Sequence, residues 1–247
     1  MSEPILRTQG LTKRFGGVVA VDNLSFSLAG SRLHAIIGPN GAGKTTFFNL
    51  VSGLLAPSAG RVFFQGRDIT ALKPHQISRL GVKRTLQIKS IFPRLTVAEN
   101  LWITGQAGRG FLHPLRTAAS DQQAREAVER TLAQIGLSAL ASRAAGTLSY
   151  GDVALLEIGM AVISRPKLLL LDEPTCGMSP AETKRAVDKI RELSRTVDIV
   201  IIEHDMDVVF DVASRISVLH FGEVLETGTP EQIHASHVVQ QIYLGAD

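Results

Sequence analysis

Apolar residues fall into three kinds of pattern along this chain, and each predicts a different element. Near the start, Ile5 to Lys13 and Val18 to Leu28 flank the turn Phe15-Gly16-Gly17, and Arg61 to Gln65 adds a short segment. These read as strands joined by turns and predict a hairpin-rich lobe. Short apolar runs form the second kind: Leu33 to Ile37, Leu168 to Leu171 and Ile199 to Ile202. The run from Leu168 ends in acid at Asp172, which suits a strand buried on both faces of a parallel sheet.

The third kind is helical. Lys44 to Ser52 predicts a helix that Gly53 and Pro57 close off. Asp121 to Ile135 carries Ala124, Ala127, Val128, Leu132 and Ile135 at helical spacing, with Ser120 and Gln123 as a capping box. Ala181 to Ser194 turns Ala186, Val187, Ile190 and Leu193 inward. Val153 to Ile163 is an apolar helical stretch, and glycine-rich Gly105 to Pro114 is expected to be loop. Strands and helices that alternate predict a parallel sheet covered on both sides. The middle of the chain, about 90–149, reads as a helical subdomain set into an α/β core made of 1–89 and 150–247.

Composition narrows the class. The chain has 247 residues, of which 45% are hydrophobic, enough for one large core with an appended lobe. No stretch approaches the roughly 18 to 20 apolar residues that span a bilayer, and the first ten residues lack a signal-peptide pattern. A soluble, cytosolic chain is expected. The net charge is +3, with both signs interspersed and no basic run threaded with aromatics, so no nucleic-acid partner is expected. Cys176 is the lone cysteine and is read as a packing residue.

One segment carries specific chemistry. Gly38-Pro39-Asn40-Gly41-Ala42-Gly43-Lys44-Thr45-Thr46 matches G-x-x-x-x-G-K-[ST] between a predicted strand and a predicted helix. Its glycines let backbone N–H groups wrap a phosphate chain, and the helix presents its positive end to the same phosphates. Lys44 is placed to reach the β- and γ-phosphates, and the Thr45 hydroxyl to sit on Mg²⁺. Asp172 and Glu173 end a core strand, at the sheet edge where α/β proteins bind ligands. Asp172 is placed to hold Mg²⁺ and Glu173 to polarise a water. His204 leaves the same edge and is placed to donate to the γ-phosphate.

Together these pieces resemble the ATP-binding cassette ATPases over almost the whole chain. The phosphate loop is Gly38 to Thr46 and the acidic strand Leu168 to Glu173. His204 stands as the switch histidine, Gln87 as the start of the glutamine loop and Phe15 as the aromatic that stacks on adenine. Leu148-Ser149-Tyr150-Gly151-Asp152 looks like the family signature, usually LSGGQ. The resemblance implies a P-loop NTPase core with an antiparallel β lobe and an inserted helical subdomain, using ATP and Mg²⁺. It further implies Gln87 as a Mg²⁺ sensor and an active homo- or heterodimer of cassettes. In that dimer Ser149 and the Gly151 backbone meet the γ-phosphate bound by the partner.

This chain departs from the signature at Tyr150 and Asp152, and Ser179 stands where the loop after Cys176 usually ends in Asp. Phe15-Gly16-Gly17-Val18, Arg84 to Gln87, Glu203 to Met206 and Tyr243-Leu244-Gly245 look like the cassettes of branched-chain amino-acid and urea-type importers. That subtype implies two integral-membrane permeases, a substrate-binding protein, and a peripheral place on the cytoplasmic face of the membrane. Lipopolysaccharide-type exporter cassettes, soluble ABC proteins of repair or translation, and a non-hydrolysing regulator are the competing readings. Ile91, Phe92, Pro93 and Leu95, beside Lys89 and Arg94, form an apolar cluster suited to a groove for a permease helix.

Overall fold

The computed structural model describes residues 3–29, 32–85, 91–106 and 122–244. The chain opens with β1 (Leu6–Phe15), β2 (Val18–Leu24), β3 (Ser27–Leu28), β4 (Leu33–Ile37) and α1 (Lys44–Val51). It continues through β5 (Ala59–Phe64), β6 (Arg67–Asp68), α2 (Pro74–Leu80), β7 (Val82–Arg84), α3 (Val97–Gln106), α4 (Gln122–Ile135) and α5 (Tyr150–Val162). It ends with β8 (Leu168–Asp172), α6 (Pro180–Leu193), β9 (Asp198–Ile202), α7 (Met206–Val212), β10 (Arg215–His220), β11 (Glu223–Gly228), α8 (Pro230–Ala235) and α9 (His237–Leu244).

Two sheets organise these elements. A small antiparallel sheet runs β2-β1-β5-β6, with β3 also paired to β1. The larger runs β11-β10-β4-β9-β8-β7; its strands from β10 to β7 are parallel, and β11 is an antiparallel edge. β4 and β8 are buried along their whole length, as continuous apolar runs should be. Because side chains alternate across a strand, each central strand feeds two cores. Leu168, Leu170, Val200 and Ile202 face α1 and the antiparallel sheet. Leu169, Leu171, Ile199 and Ile201 face α6, α7 and α8. Each such fully buried Leu or Ile stabilises the fold by about 1.5–3 kcal/mol. A third cluster joins α3, α4 and α5 through Leu101, Leu132, Ile135, Leu155 and Leu156.

Several sequence expectations shift in detail. Val18 to Leu28 is not one strand: Asn23 takes φ 43°, and β2 ends at Leu24. Buried Thr8 bridges the gap, its hydroxyl donating to Leu24 O and accepting from Phe26 N. Gly105 and Gln106 belong to α3, not to a loop. A Cβ on Gly105 would lie 3.2 Å from Ile163 Cδ1, so the glycine lets α3 pack close to α5's end. Positions 107–114 of the expected loop, and the Ser120 cap, lie outside the described residues.

Candidate nucleotide site

β4 delivers the chain to the glycine-rich loop, and Gly43 turns it into α1. Gly43 holds φ 99°, and a Cβ there would come within 2.3 Å of the Ala20 carbonyl oxygen of β2. The close approach fastens the antiparallel lobe directly to the loop, and only glycine satisfies both demands. Gly38 is crowded in the same way, 2.2 Å from a Cβ position to Leu219 O. As N-cap of α1, Gly43 supplies no side-chain bond, and the first turn holds no acid. The helix start therefore keeps its positive end without a carboxylate of its own. Lys44 lies buried and folds back over the loop, its Nζ donating to Gly38 O at 2.6 Å and Pro39 O at 3.0 Å. Burial lowers its pKa, against the opposing charges of Glu173 and Asp172. Ala42 is buried, Pro39 and Thr46 half-buried, and Asn40, Gly41 and Thr45 exposed.

The acids come from β9 and β8, the next two strands of the sheet. Asp172 pairs across β8 and β9 with Ile202, and Ile202 pairs with Ile36 of β4. The chain thus leaves one sheet edge at Gly38, at Glu173 and at Glu203-His204. The Asp172 carboxylate is buried, and its Oδ2 accepts from Arg84 at 2.7 Å. Its Oδ1 is buried without a hydrogen-bond partner among the described residues. Arg84 also donates to Asn49 Oδ1 at 2.6 Å, so α1, β7 and β8 share one guanidinium. Glu173 has φ 49°, a left-handed conformation unusual for a side chain of this size. Fully buried Glu203 accepts from Thr175 N and His204 N, and the His204 side chain itself is exposed.

The signature residues open α5. Ser149 is its N-cap, accepting from Asp152 N, while its hydroxyl bonds Asp152 Oδ2 at 3.0 Å. Asp152 is paired in turn with Arg185 of α6. The Gly151 N–H donates to Glu182 Oε1 at 3.0 Å. Bonds from the Ser179 hydroxyl first, then from the Gly151 and Ser179 backbone and the Ser149 hydroxyl, hold the Glu182 carboxyl down to about 2. The Tyr150 ring lies over Gly177, 3.6 Å from a Cβ position there.

The remaining sequence candidates divide. Phe15 sits half-exposed at the β1–β2 turn under Lys13, whose Nζ is 5.1 Å from the ring centroid. Gln87 and Lys89 lie outside the described residues. Cys176 is exposed and not a packing residue, because the tight turn after Glu173 directs it outward. Phe92 is 47% exposed, while Ile91 packs on the third cluster. Fully buried Asn100 accepts from Phe92 N at 2.7 Å and donates to Phe92 O and Thr96 O.

Sequence reasoning gave no site role to Arg84, Asn100, Glu182 or Glu203, although Arg84 and Glu203 stood in quoted motifs. Glu203 gave a signal: a charge directly after a buried strand and next to His204. It also missed the last helix. Burial pushes the Tyr243 phenol up to about 12, against a hydrogen bond with the Gly38 backbone that works in the other direction. A cavity of about 570 Å³ lies between Pro39 to Ala42, His220-Phe221 and α9.

A glycine loop on an uncapped helix start, a histidine after the adjacent strand β9, and a buried Asp and a strained Glu at the end of β8 beyond it define an ATP-binding cassette ATPase. Residues 21–176 match the family described as ABC transporter, and the chain belongs to that family. It is similar, at 40% identity over 254 residues and 99% of both chains, to the high-affinity branched-chain amino acid transport ATP-binding protein BraF of Pseudomonas aeruginosa. LivG of Escherichia coli, of the same description, is 40% identical over 253 residues and 99% of both chains. The fold is similar to a crystal structure of an ATP-binding cassette of an ABC transporter in its ADP conformation. The TM-score is 0.87 and the identity 32%, over 99% of this chain and 100% of that one.

Proposed function

We propose that this ATPase energises a membrane importer for branched-chain amino acids or related small polar solutes. The full-length likeness to two branched-chain amino acid transport subunits supports the substrate class. The observation that carries the chemistry is the exit of the glycine loop that bears Lys44, and of Asp172-Glu173, from one edge of the parallel sheet.

Backbone N–H groups of Gly38 to Thr46 wrap the phosphates of ATP, and Phe15 stacks on the base once Lys13 moves aside. Lys44 exchanges the carbonyls of Gly38 and Pro39 for the β- and γ-phosphates. The orphaned Oδ1 of Asp172 and the exposed Thr45 hydroxyl suit a hydrated Mg²⁺, with Gln87 as a third group. A Mg²⁺ held there would supply charge neutralisation for phosphoryl transfer. Arg84 fixes the Asp172 rotamer by holding only Oδ2. Glu173 polarises the attacking water and His204 donates to the γ-phosphate.

Ser149 and the Gly151 N–H complete the site in trans, from a second cassette. In the single chain Glu182 holds that N–H, so closure of the dimer requires Glu182 to let go. A carboxyl held down to about 2 stays ionised at cytosolic pH, so it leaves by displacement, not by protonation. The chain works at the cytoplasmic face of the membrane through permease subunits, with a substrate-binding protein beyond them. Among the described residues no helix is long and apolar enough to cross a membrane. Phe92 stands outward on a braced turn, as a contact for a permease helix would.

The test is Glu173→Gln, assayed by phosphate release and light scattering. It should bind ATP, lose nearly all hydrolysis and accumulate as an ATP-bound dimer. Turnover near wild type would remove Glu173 from its role.

A further inference from the structure

Glu203 sits between the two groups that act on the γ-phosphate, yet belongs to neither. It directly follows β9 and is fully buried. Its Oε1 accepts from the Thr175 backbone N–H at 3.0 Å and from the Thr175 hydroxyl at 2.5 Å. Its Oε2 accepts from the His204 backbone N–H at 3.2 Å. One carboxylate thus ties the turn that follows β8 to the backbone of His204 beyond β9. The two nitrogens can only donate, so both oxygens are needed as acceptors.

The turn it holds is the strained one. Glu173 keeps φ 49°, and such a conformation persists only where the surroundings over-determine it. Glu173 N bonds Ile202 O at 2.9 Å, Cys176 N bonds Glu173 O at 3.2 Å, and Thr175, two residues on, is fastened twice to Glu203. The same carboxylate fixes the backbone of His204, whose exposed ring has its Nδ1 3.8 Å from Oε2.

We propose that Glu203 is a positioning residue for hydrolysis: it clamps the Glu173–Thr175 turn to His204, so that the water-polarising carboxylate and the imidazole keep one fixed separation. The proposal rests on the roles given above to Glu173 and His204. A clamp of this kind acts on the alignment of water and phosphate and leaves the phosphate loop alone. Its loss is therefore read in kcat and not in nucleotide affinity.

The experiment uses the full-length chain. In Glu203→Gln the amide oxygen still serves Thr175, but the amide nitrogen then faces the His204 N–H, donor against donor. We expect kcat for ATP hydrolysis to fall between about tenfold and a hundredfold, with the dissociation constant for a fluorescent ATP analogue within about twofold of wild type. Thr175→Val, which removes only the hydroxyl, should show a smaller fall of the same kind, and Thr175→Ser should restore it. Glu203→Gln placed on Glu173→Gln should lower hydrolysis no further, because the clamp acts through Glu173. A folded Glu203→Gln with wild-type kcat overturns the proposal, as does Thr175→Ser behaving like Thr175→Val. If Glu173→Gln itself turns over normally, the reading of the site fails instead. If Glu173→Gln is inactive and Glu203→Gln is normal, only the clamp fails.

Discussion

Two helices in this molecule begin at glycine-bearing motifs, and they begin in opposite electrostatic states. α1 starts at Gly43, with no capping side chain and no acid in its first turn. α5 starts at Ser149, with a side-chain cap, an acid in its first turn and a further carboxylate from Glu182 on Gly151. Both helix ends carry the partial positive charge that favours an anion. The first end is left for a ligand. The second is already answered by the chain itself. The difference teaches that one helix start can stay open in the single chain while another is closed by an internal carboxylate; on the proposed in-trans reading these are the two halves of one site.

The comparison can be broken most severely at the closed end. Ser149→Arg should cut hydrolysis by more than about a hundredfold, because on the proposed in-trans reading a bulky cation would block the donors that meet the partner's γ-phosphate. ATP binding to isolated subunits should stay as in wild type. An equally steep loss of binding would place Ser149 in its own chain's nucleotide site and end the contrast. At the open end, Lys44→Ala should weaken binding of a fluorescent ATP analogue by about ten- to a hundredfold, since it removes the point charge on the phosphates. Unchanged affinity would mean the uncapped start of α1 is not where the phosphates sit.

A smaller effect sharpens the contrast. Glu182→Ala should leave Gly151 without its internal anion and tighten the ATP-dependent dimer by on the order of fivefold, read by light scattering over a protein dilution series. Ser179→Ala is the control, since it removes the capping partner of α6 and keeps the Gly151–Glu182 bond. Dimer affinity that falls, or that rises equally in both variants, would show that Glu182 does not compete with phosphate.

Much of this was legible in the sequence wherever the signal was local. The glycine loop, the run ending at Asp172 and the inward face Ala186, Val187, Ile190 and Leu193 all follow from spacing, and each is found as expected. What escaped were pairings between distant positions. Arg84 meets Asp172 across 88 residues and Glu182 meets Gly151 across 31. Periodicity describes which face a residue takes but not which buried charge answers it. Cys176 failed for a related reason: a small apolar residue is assumed to pack, and only the course of the turn reveals that it faces outward. The break after Leu24 depended on a Thr8 hydroxyl standing in for a ladder bond.

The brace around Phe92 has a thermodynamic side. Asn100 is fully buried and holds the main chain of Phe92 at both its N–H and its carbonyl, and Thr96 as well. Ordering a free backbone residue costs about 1–2 kcal/mol, and here that ordering is complete before anything covers the ring. An aromatic ring on a stiff pedestal surrenders only its own rotation when it is buried. Its contact area therefore converts into affinity with little entropic loss, which is what lets a small surface hold a partner firmly.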